Sequence, residues 1–242
     1  MKIFKFIPNL LTLLNLLSGC LAVVYAVNNQ IQSAVLFVML GILFDFFDGF
    51  AARLLHVQSE LGKQLDSLAD MVTSGVVPGI VMVQMLLKSG NSEPLTYIDG
   101  FENFPFLAMV GFSITLASCY RLANFNIDEN QTENFVGLPT PANTLFILSL
   151  PLMHVYPEYQ YISYIVDNQY VLLLVTVLSC YMLNANIELF ALKFKTFAFA
   201  ENKLKYIFLL LSIVLIVVIK LAAIPAIILM YLLLSTLNNK KK

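Results

Sequence analysis

Charge is scarce in this sequence. Only 12% of its 242 residues are Asp, Glu, Lys or Arg, about half the share found in a soluble domain. A water-exposed globule is therefore excluded. The net charge of -1, with no extended basic tract, excludes a nucleic-acid partner. Cysteine and histidine are also few, with three of the first and two of the second. Cys20, Cys119 and Cys180 lie far apart in apolar stretches, and none has the paired spacing of a zinc or redox site. His56 and His154 sit at segment ends with no partner His or Cys nearby, as interfacial residues do. The sequence "LLSGC" ending at Cys20 has the look of a lipoprotein cleavage box. The stretch before it is interrupted by Pro8, Asn9, Thr12 and Asn15, and many apolar segments follow, so it reads as a first membrane helix retained in the mature protein.

What fills the chain is apolar surface: 59% hydrophobic residues and a mean hydropathy of +0.81. A helix needs about 20 such residues to cross the hydrocarbon core. Eight stretches qualify, near 7–27, 32–53, 65–88, 104–122, 141–157, 168–189, 204–219 and 221–237. Lipid satisfies no backbone polar group, so each is expected to be helical. With a cytoplasmic start, 12 of the 14 basic residues fall inside and only Lys88 and Lys220 outside, as the positive-inside rule requires. The inside set is Lys2, Lys5, Arg53, Lys63, Arg121, Lys193, Lys195, Lys203, Lys205 and Lys240 to Lys242. The outer loop from Ser89 to Pro105 is polar and acidic. The expected fold is an all-α, polytopic membrane helical bundle of about eight transmembrane helices with both termini cytoplasmic. It forms one integral-membrane domain over 1–242, with a motif-bearing core at about 7–190 and extra C-terminal helices at about 204–237.

Against this background one stretch stands out, "FDFFDGFAAR" at 44–53. An ionised Asp within a membrane helix costs roughly 2.5 to 3.5 kcal/mol on insertion scales, and here there are two. Asp45 and Asp48 are three apart and share a helix face; Asp66 and Asp70, four apart, share another. A short cytoplasmic link from about Arg53 to Lys63 makes the two helices antiparallel neighbours. Four carboxylates can then meet near the inner surface. Arg53 and Lys63 are too few to neutralise them as an acid–base lock. Oxygen-only ligation suits a hard divalent cation, Mg²⁺, Mn²⁺ or Ca²⁺. Gly49, Ala52 and Gly62 remove bulk where a ligand would approach the backbone, and Arg53 offers a fork for phosphate.

Further polar features lie outside this cluster. Asn9, Thr12 and Asn15 form a stripe on the first helix that either binds helices together or lines a cleft. Arg121 reads either as an anion clamp on the acceptor side or as a positive-inside anchor. Thr140 is the expected N-cap of the fifth span, with Pro141 as its first helical residue; that end is suited to a carboxylate or phosphate. Pro78 is expected to kink the third span, and Gly75 and Gly79 to permit close packing. The lysine-rich inner segments face anionic membrane lipids. A divalent-cation transporter is the rival outside enzymology, but such sites lie near the midplane.

The spacing Asp45-x2-Asp48-Gly49-x2-Ala52-Arg53-x8-Gly62-x3-Asp66-x3-Asp70 resembles the CDP-alcohol phosphotransferase motif, with every fixed identity present. "IPNLLTLLNLLSGCLA", "DSLADMVTSGVVPG", "YRLANFN" and "FVGLPTPANT" extend the likeness from about residue 7 to 145. They resemble bacterial and archaeal CDP-diacylglycerol–serine O-phosphatidyltransferases. The resemblance implies transfer of a phosphatidyl group from CDP-diacylglycerol to the hydroxyl of serine, releasing CMP. It implies two divalent ions on Asp45, Asp48, Asp66 and Asp70, with Asp70 also the general base. It implies a nucleotide site bordered by Asn9 and Thr12, a homodimer, and an inner-membrane location with the active site facing the cytoplasm. One departure concerns the acceptor: the family pattern often carries a second basic residue after the Arg of "YRLANFN", where this chain has Asn124. Glycerol 3-phosphate or an inositol compound is the alternative acceptor.

Overall fold

The computed structural model describes residues 6–97, 104–127, 135–190 and 199–239. Lys2, Lys5, Lys193, Lys195 and Lys240 to Lys242, and the middle of the expected outer loop, lie outside the described residues. Helix α1 (Phe6–Val27) and helix α2 (Ile31–Leu54) pack along one another. After the link at 55–59 the chain forms α3 (Glu60–Asp70), a π-helical stretch (Met71–Val76) and α4 (Val77–Ser89), together one 30-residue rod. Next come α5 (Phe106–Met109) and α6 (Ser113–Ile127), joined by a 3₁₀ turn. Strand β1 (Phe135–Val136), α7 (Thr140–Leu152), α8 (Gln160–Val166), α9 (Gln169–Asn184) and strand β2 (Glu188–Leu189) follow, then α10 (Phe199–Ile219) and α11 (Ala223–Asn239). β1 and β2 pair antiparallel.

Five helices are long and apolar enough to cross a membrane, or six if the bent pair α8–α9, angled at 74°, counts as one. The spans expected at 7–27, 32–53, 65–88 and 104–122 all appear, the fourth extended to Ile127. One of the five, Asn202–Leu237, runs 36 residues, too long for one crossing of a roughly 30 Å core at about 1.5 Å per residue. It breaks at a 3₁₀ turn, Lys220–Ala222, where Lys220 takes a left-handed φ of 43°. Phe208 of α10 then packs on Tyr231 of α11 with ring centroids 5.6 Å apart. The chain has therefore reversed into a hairpin, as expected from the turn near Lys220. Helix α7 is shorter than the span expected at 141–157. Its α-helix has 13 residues and ends in a 3₁₀ turn after the internal Pro151.

The small and polar residues point inward and the large apolar ones outward. On α1 the buried stripe is Pro8, Thr12, Asn15, Gly19, Ala22 and Ala26, whereas Leu10, Leu13, Leu17 and Val24 are exposed. On α2 it is Ala34, Val38, Gly41 and Asp48, with Asp45 half-buried on the same face. Lipid is as apolar as leucine, so burying leucine gains little; small residues instead let backbones approach. The α3–α4 rod is the axis of the bundle, and Val77 to Leu87 are buried on every side.

That rod carries a π-helical irregularity whose cause is visible in the sequence. Pro78 has no N–H for the carbonyl of Ser74, four residues back. The Thr144 hydroxyl is shared between that carbonyl at 2.8 Å and the Thr140 carbonyl of its own helix at 2.9 Å, and the Thr115 hydroxyl donates to the Gly75 carbonyl at 2.9 Å. The π-helical stretch forms just ahead of the proline, and side chains from α6 and α7 supply the missing donors. Gly79 lets α6 come this near, since a Cβ there would fall 2.1 Å from the Thr115 Oγ1. At the opposite end from the acidic cluster, His154 and Lys88 both meet Asp167, at 2.8 and 3.4 Å. That clasp joins α4, α7 and the α8–α9 bend, and was not legible in the sequence.

Candidate active site

Helices α1, α2 and α3 bring the acidic residues together. Asp45 and Asp48 continue the inward stripe of α2 by one and two further turns. Ser59 caps α3, accepting the Gly62 N–H at 3.1 Å, and Asp66 and Asp70 follow one and two turns after Gly62. Asp45, Asp48 and Asp66 each offer an oxygen such that all three lie within 4.8 Å of one another. At that separation each pair of charges repels by about 3 to 4 kcal/mol at an effective dielectric of about 20. No Lys or Arg among the described residues ion-pairs with them. The donor set is all oxygen and suits a hard divalent cation.

The first helix reaches directly into this cluster. The Thr12 hydroxyl donates to Asp48 Oδ2 at 2.5 Å and the Asn15 amide donates to Asp70 Oδ1 at 3.1 Å. The polar stripe thus faces the carboxylates. Asp70 stands apart from the group of three and is held by Asn15. Convergence was expected for all four acids; the structure gathers three and sets the fourth beside them.

A cleft of about 530 Å³ opens next to the acids. Asn9, Thr12, Asp48, Gly49, Ala52, Arg53, Gly62 and Asp66 line it, so the glycines, Ala52 and Arg53 of the motif border the same cleft as the stripe of α1. The chain's own packing does not require glycine at 49, where a Cβ would meet only the flexible tip of Arg53 at 3.4 Å. The room there faces the cleft. Gly62 is tighter, with a Cβ falling 3.3 Å from Ser59 Oγ and 3.5 Å from Asn9 Oδ1.

Lys63 and Phe125 also line the cleft. The Lys63 ammonium donates to the Asn126 carbonyl at 2.6 Å, and Ser67 donates to the Asn126 side chain at 3.0 Å. These bonds fasten α3 to the end of α6.

Arg121 is half-buried on α6. Its Nη1 donates to the carbonyls of Val136 (2.7 Å) and Leu183 (2.6 Å), and its Nη2 to that of Gly137 (3.1 Å). Three of its five donors therefore hold backbone, joining β1 to the end of α9. It also lines a smaller cleft of about 290 Å³ with Asn124, Phe125 and Asn184. Thr140 is buried, but it is not the N-cap expected from sequence. The Asn143 N–H donates to the Pro139 carbonyl at 3.0 Å, so Pro139 caps and Thr140 is the first helical residue. The tandem prolines shift the boundary by one position.

Sequence reasoning left Asn15 out of the site and missed Thr73 and Phe125. For Thr73 a signal existed: it follows Asp66 and Asp70 at the next helical step on the same face.

The family model for CDP-alcohol phosphatidyltransferase matches residues 5–180, well over half of the chain. The chain belongs to that family. Among curated relatives, a CDP-diacylglycerol–serine O-phosphatidyltransferase of Bacillus subtilis is 35% identical over 138 residues, 57% of this chain and 70% of that protein. An archaetidylserine synthase of Methanothermobacter thermautotrophicus is 32% identical over 162 residues, 65% of this chain and 63% of that one. A CDP-diacylglycerol–serine O-phosphatidyltransferase of Helicobacter pylori is 31% identical over 149 residues, 60% and 57% of the two chains. The matched stretch thus spans less than two thirds of the latter two relatives. The family match covers every motif residue from Asp45 to Asp70, and so the acidic cluster and its cleft.

Proposed function

We propose that this membrane protein transfers the phosphatidyl group of CDP-diacylglycerol to the hydroxyl of serine, giving phosphatidylserine and CMP. The observation that carries the reading is the gathering of Asp45, Asp48 and Asp66 at a cleft walled by Gly49, Ala52 and Arg53. Asp45, Asp48 and Asp66 would hold the tighter of two divalent ions, Mg²⁺ or Mn²⁺ with Ca²⁺ as a further option, and Asp70 would complete a weaker second site with them; the ions' charge would offset that of the diphosphate. Arg53, exposed at the edge of the cleft, meets a diphosphate oxygen. Gly49, Ala52 and Gly62 let the nucleotide lie against the backbone, with Asn9 and Thr12 lining the same cleft.

Asp70 takes the proton of the acceptor hydroxyl. The serine oxygen forms its bond to the phosphorus that carries diacylglycerol, and the bond from that phosphorus to CMP breaks. Asp70 stands beside the group of three with one oxygen bound to Asn15, as suits a proton acceptor next to a cation site. The names of the relatives support serine. So does Arg121, most of whose donors are spent on carbonyls, leaving no dense basic pocket for a phosphorylated acceptor.

The chain crosses the inner membrane eight times, with both termini and the active site in the cytoplasm. The basic-residue split and the reversal at Lys220 support this, and accessibility of single cysteines at the loops tests it. A homodimer follows from the resemblance and is tested by mass in detergent. The deciding experiment offers purified protein CDP-diacylglycerol with serine, glycerol 3-phosphate or inositol, under Mg²⁺, Mn²⁺ or Ca²⁺. Serine-dependent CMP release is expected; phosphatidylglycerol phosphate as sole product would refute the serine assignment.

A further inference from the structure

Asn15 and Thr73 are both fully buried. The Thr73 hydroxyl donates to Asn15 Oδ1 at 2.8 Å, and Asn15 Nδ2 donates to Asp70 Oδ1 at 3.1 Å. A helical threonine normally satisfies its hydroxyl on a carbonyl of its own preceding turn. Thr73 instead leaves its helix and crosses to α1. A carboxylate is acceptor-only and a hydroxyl has one hydrogen. Only one orientation of the Asn15 amide satisfies both neighbours, with NH₂ toward Asp70 and oxygen toward Thr73.

The surrounding helices are shaped around this relay. A Cβ at Gly41 of α2 would fall 2.8 Å from Asn15 Oδ1 and 2.7 Å from Thr73 Cγ2. One at Gly19 of α1 would fall 2.4 Å from Thr73 Oγ1. Three membrane helices thus close on one side-chain amide, and the chain that ends at Asp70 begins in the π-helical stretch that presents Thr73.

We propose that Asn15, oriented by Thr73, is the positioning residue for Asp70. It fixes one oxygen of that carboxylate, leaves the other for the acceptor hydroxyl, and keeps Asp70 out of the group formed by Asp45, Asp48 and Asp66. This deepens the transferase reading and rests on it. Asn15 touches the reacting atoms only through Asp70.

The test compares Asn15→Ala, Thr73→Val and Thr73→Ser in the full-length protein. In Asn15→Ala and Thr73→Val, kcat for serine-dependent CMP release falls by about 10- to 100-fold, while KM for CDP-diacylglycerol stays within about twofold. Thr73→Ser, which keeps the hydroxyl, stays within about threefold of wild type in kcat. Mn²⁺ binding at the tighter site, titrated without lipid substrate, is unchanged to within about threefold in every variant, because Asp45, Asp48 and Asp66 are not touched. If Asn15→Ala fails to fold, the Thr73 pair decides alone. Unaltered kcat in Thr73→Val overturns the proposal. Equal losses in Thr73→Ser and Thr73→Val, or Mn²⁺ affinity falling in step with kcat, also overturn it. A wild type that transfers to no alcohol fails the transferase reading and this proposal together; a transferring wild type with indifferent variants fails the proposal alone.

Discussion

Thr12 of α1 and Asp48 of α2 share a hydrogen bond of 2.5 Å, with only 3% and 6% of each residue exposed. The bond places a neutral donor on one oxygen of a buried carboxylate and ties the first helix to the motif helix at the acidic cluster. A charge-assisted bond of this kind contributes about 1.5 to 3 kcal/mol. It offsets part of the cost of holding Asp48 in the bundle, and a divalent ion bound at the three-acid group would offset the rest.

The three-acid group makes metal dependence the first expectation. Asp45→Asn, Asp48→Asn or Asp66→Asn should each reduce CMP release by at least about 100-fold and weaken Mn²⁺ binding. Chelation of the wild type should abolish turnover, with activity restored by added Mg²⁺ or Mn²⁺. Asp70→Asn should also lose turnover, yet keep the tighter Mn²⁺ site formed by Asp45, Asp48 and Asp66. Electron paramagnetic resonance of Mn²⁺ in detergent separates the two classes.

Gly49→Ala tests whether the room at the cleft wall belongs to the substrate. The added methyl meets only the end of Arg53, so thermal stability should change by no more than about 0.5 kcal/mol. KM for CDP-diacylglycerol should rise about tenfold or more, a loss of about 1.4 kcal/mol of binding. Steady-state kinetics at saturating serine measures it.

Thr144→Val probes the repair at Pro78. Removing the hydroxyl leaves the Ser74 carbonyl without the donor that replaces the missing proline N–H. The variant should lose about 1 to 3 kcal/mol of stability, read as a lowered unfolding midpoint in detergent. Serine stays nearly isosteric at the hydroxyl and should retain most of it.

Arg121→Lys separates a backbone clamp from an acceptor-side anion clamp. A lysine ammonium cannot reproduce the planar fork that spans the Val136, Gly137 and Leu183 carbonyls. Destabilisation of about 1.5 to 3 kcal/mol and faster proteolysis near residues 135–138 are expected. A stable variant whose only defect is a raised KM for serine would instead assign Arg121 to the acceptor.

The sequence by itself determined the membrane class, the helices carrying the motif, and which acids share a helix face. Those properties are local: apolar length sets a span, and a period of about 3.6 residues sets a face. It also determined the family, because the motif residues occur at fixed spacing along two consecutive helices. Tertiary structure alone decided which faces meet. No periodicity states that Asn15 of α1 reaches Asp70 while Thr73 reaches Asn15, or that three acids gather and the fourth stands aside. Nor does it state that Arg121 spends its donors on three carbonyls. These contacts join residues up to 62 positions apart, and they depend on how closely glycine and threonine surfaces let the helices approach. That closeness is a property of packed pairs of helices, and no single stretch of chain contains it.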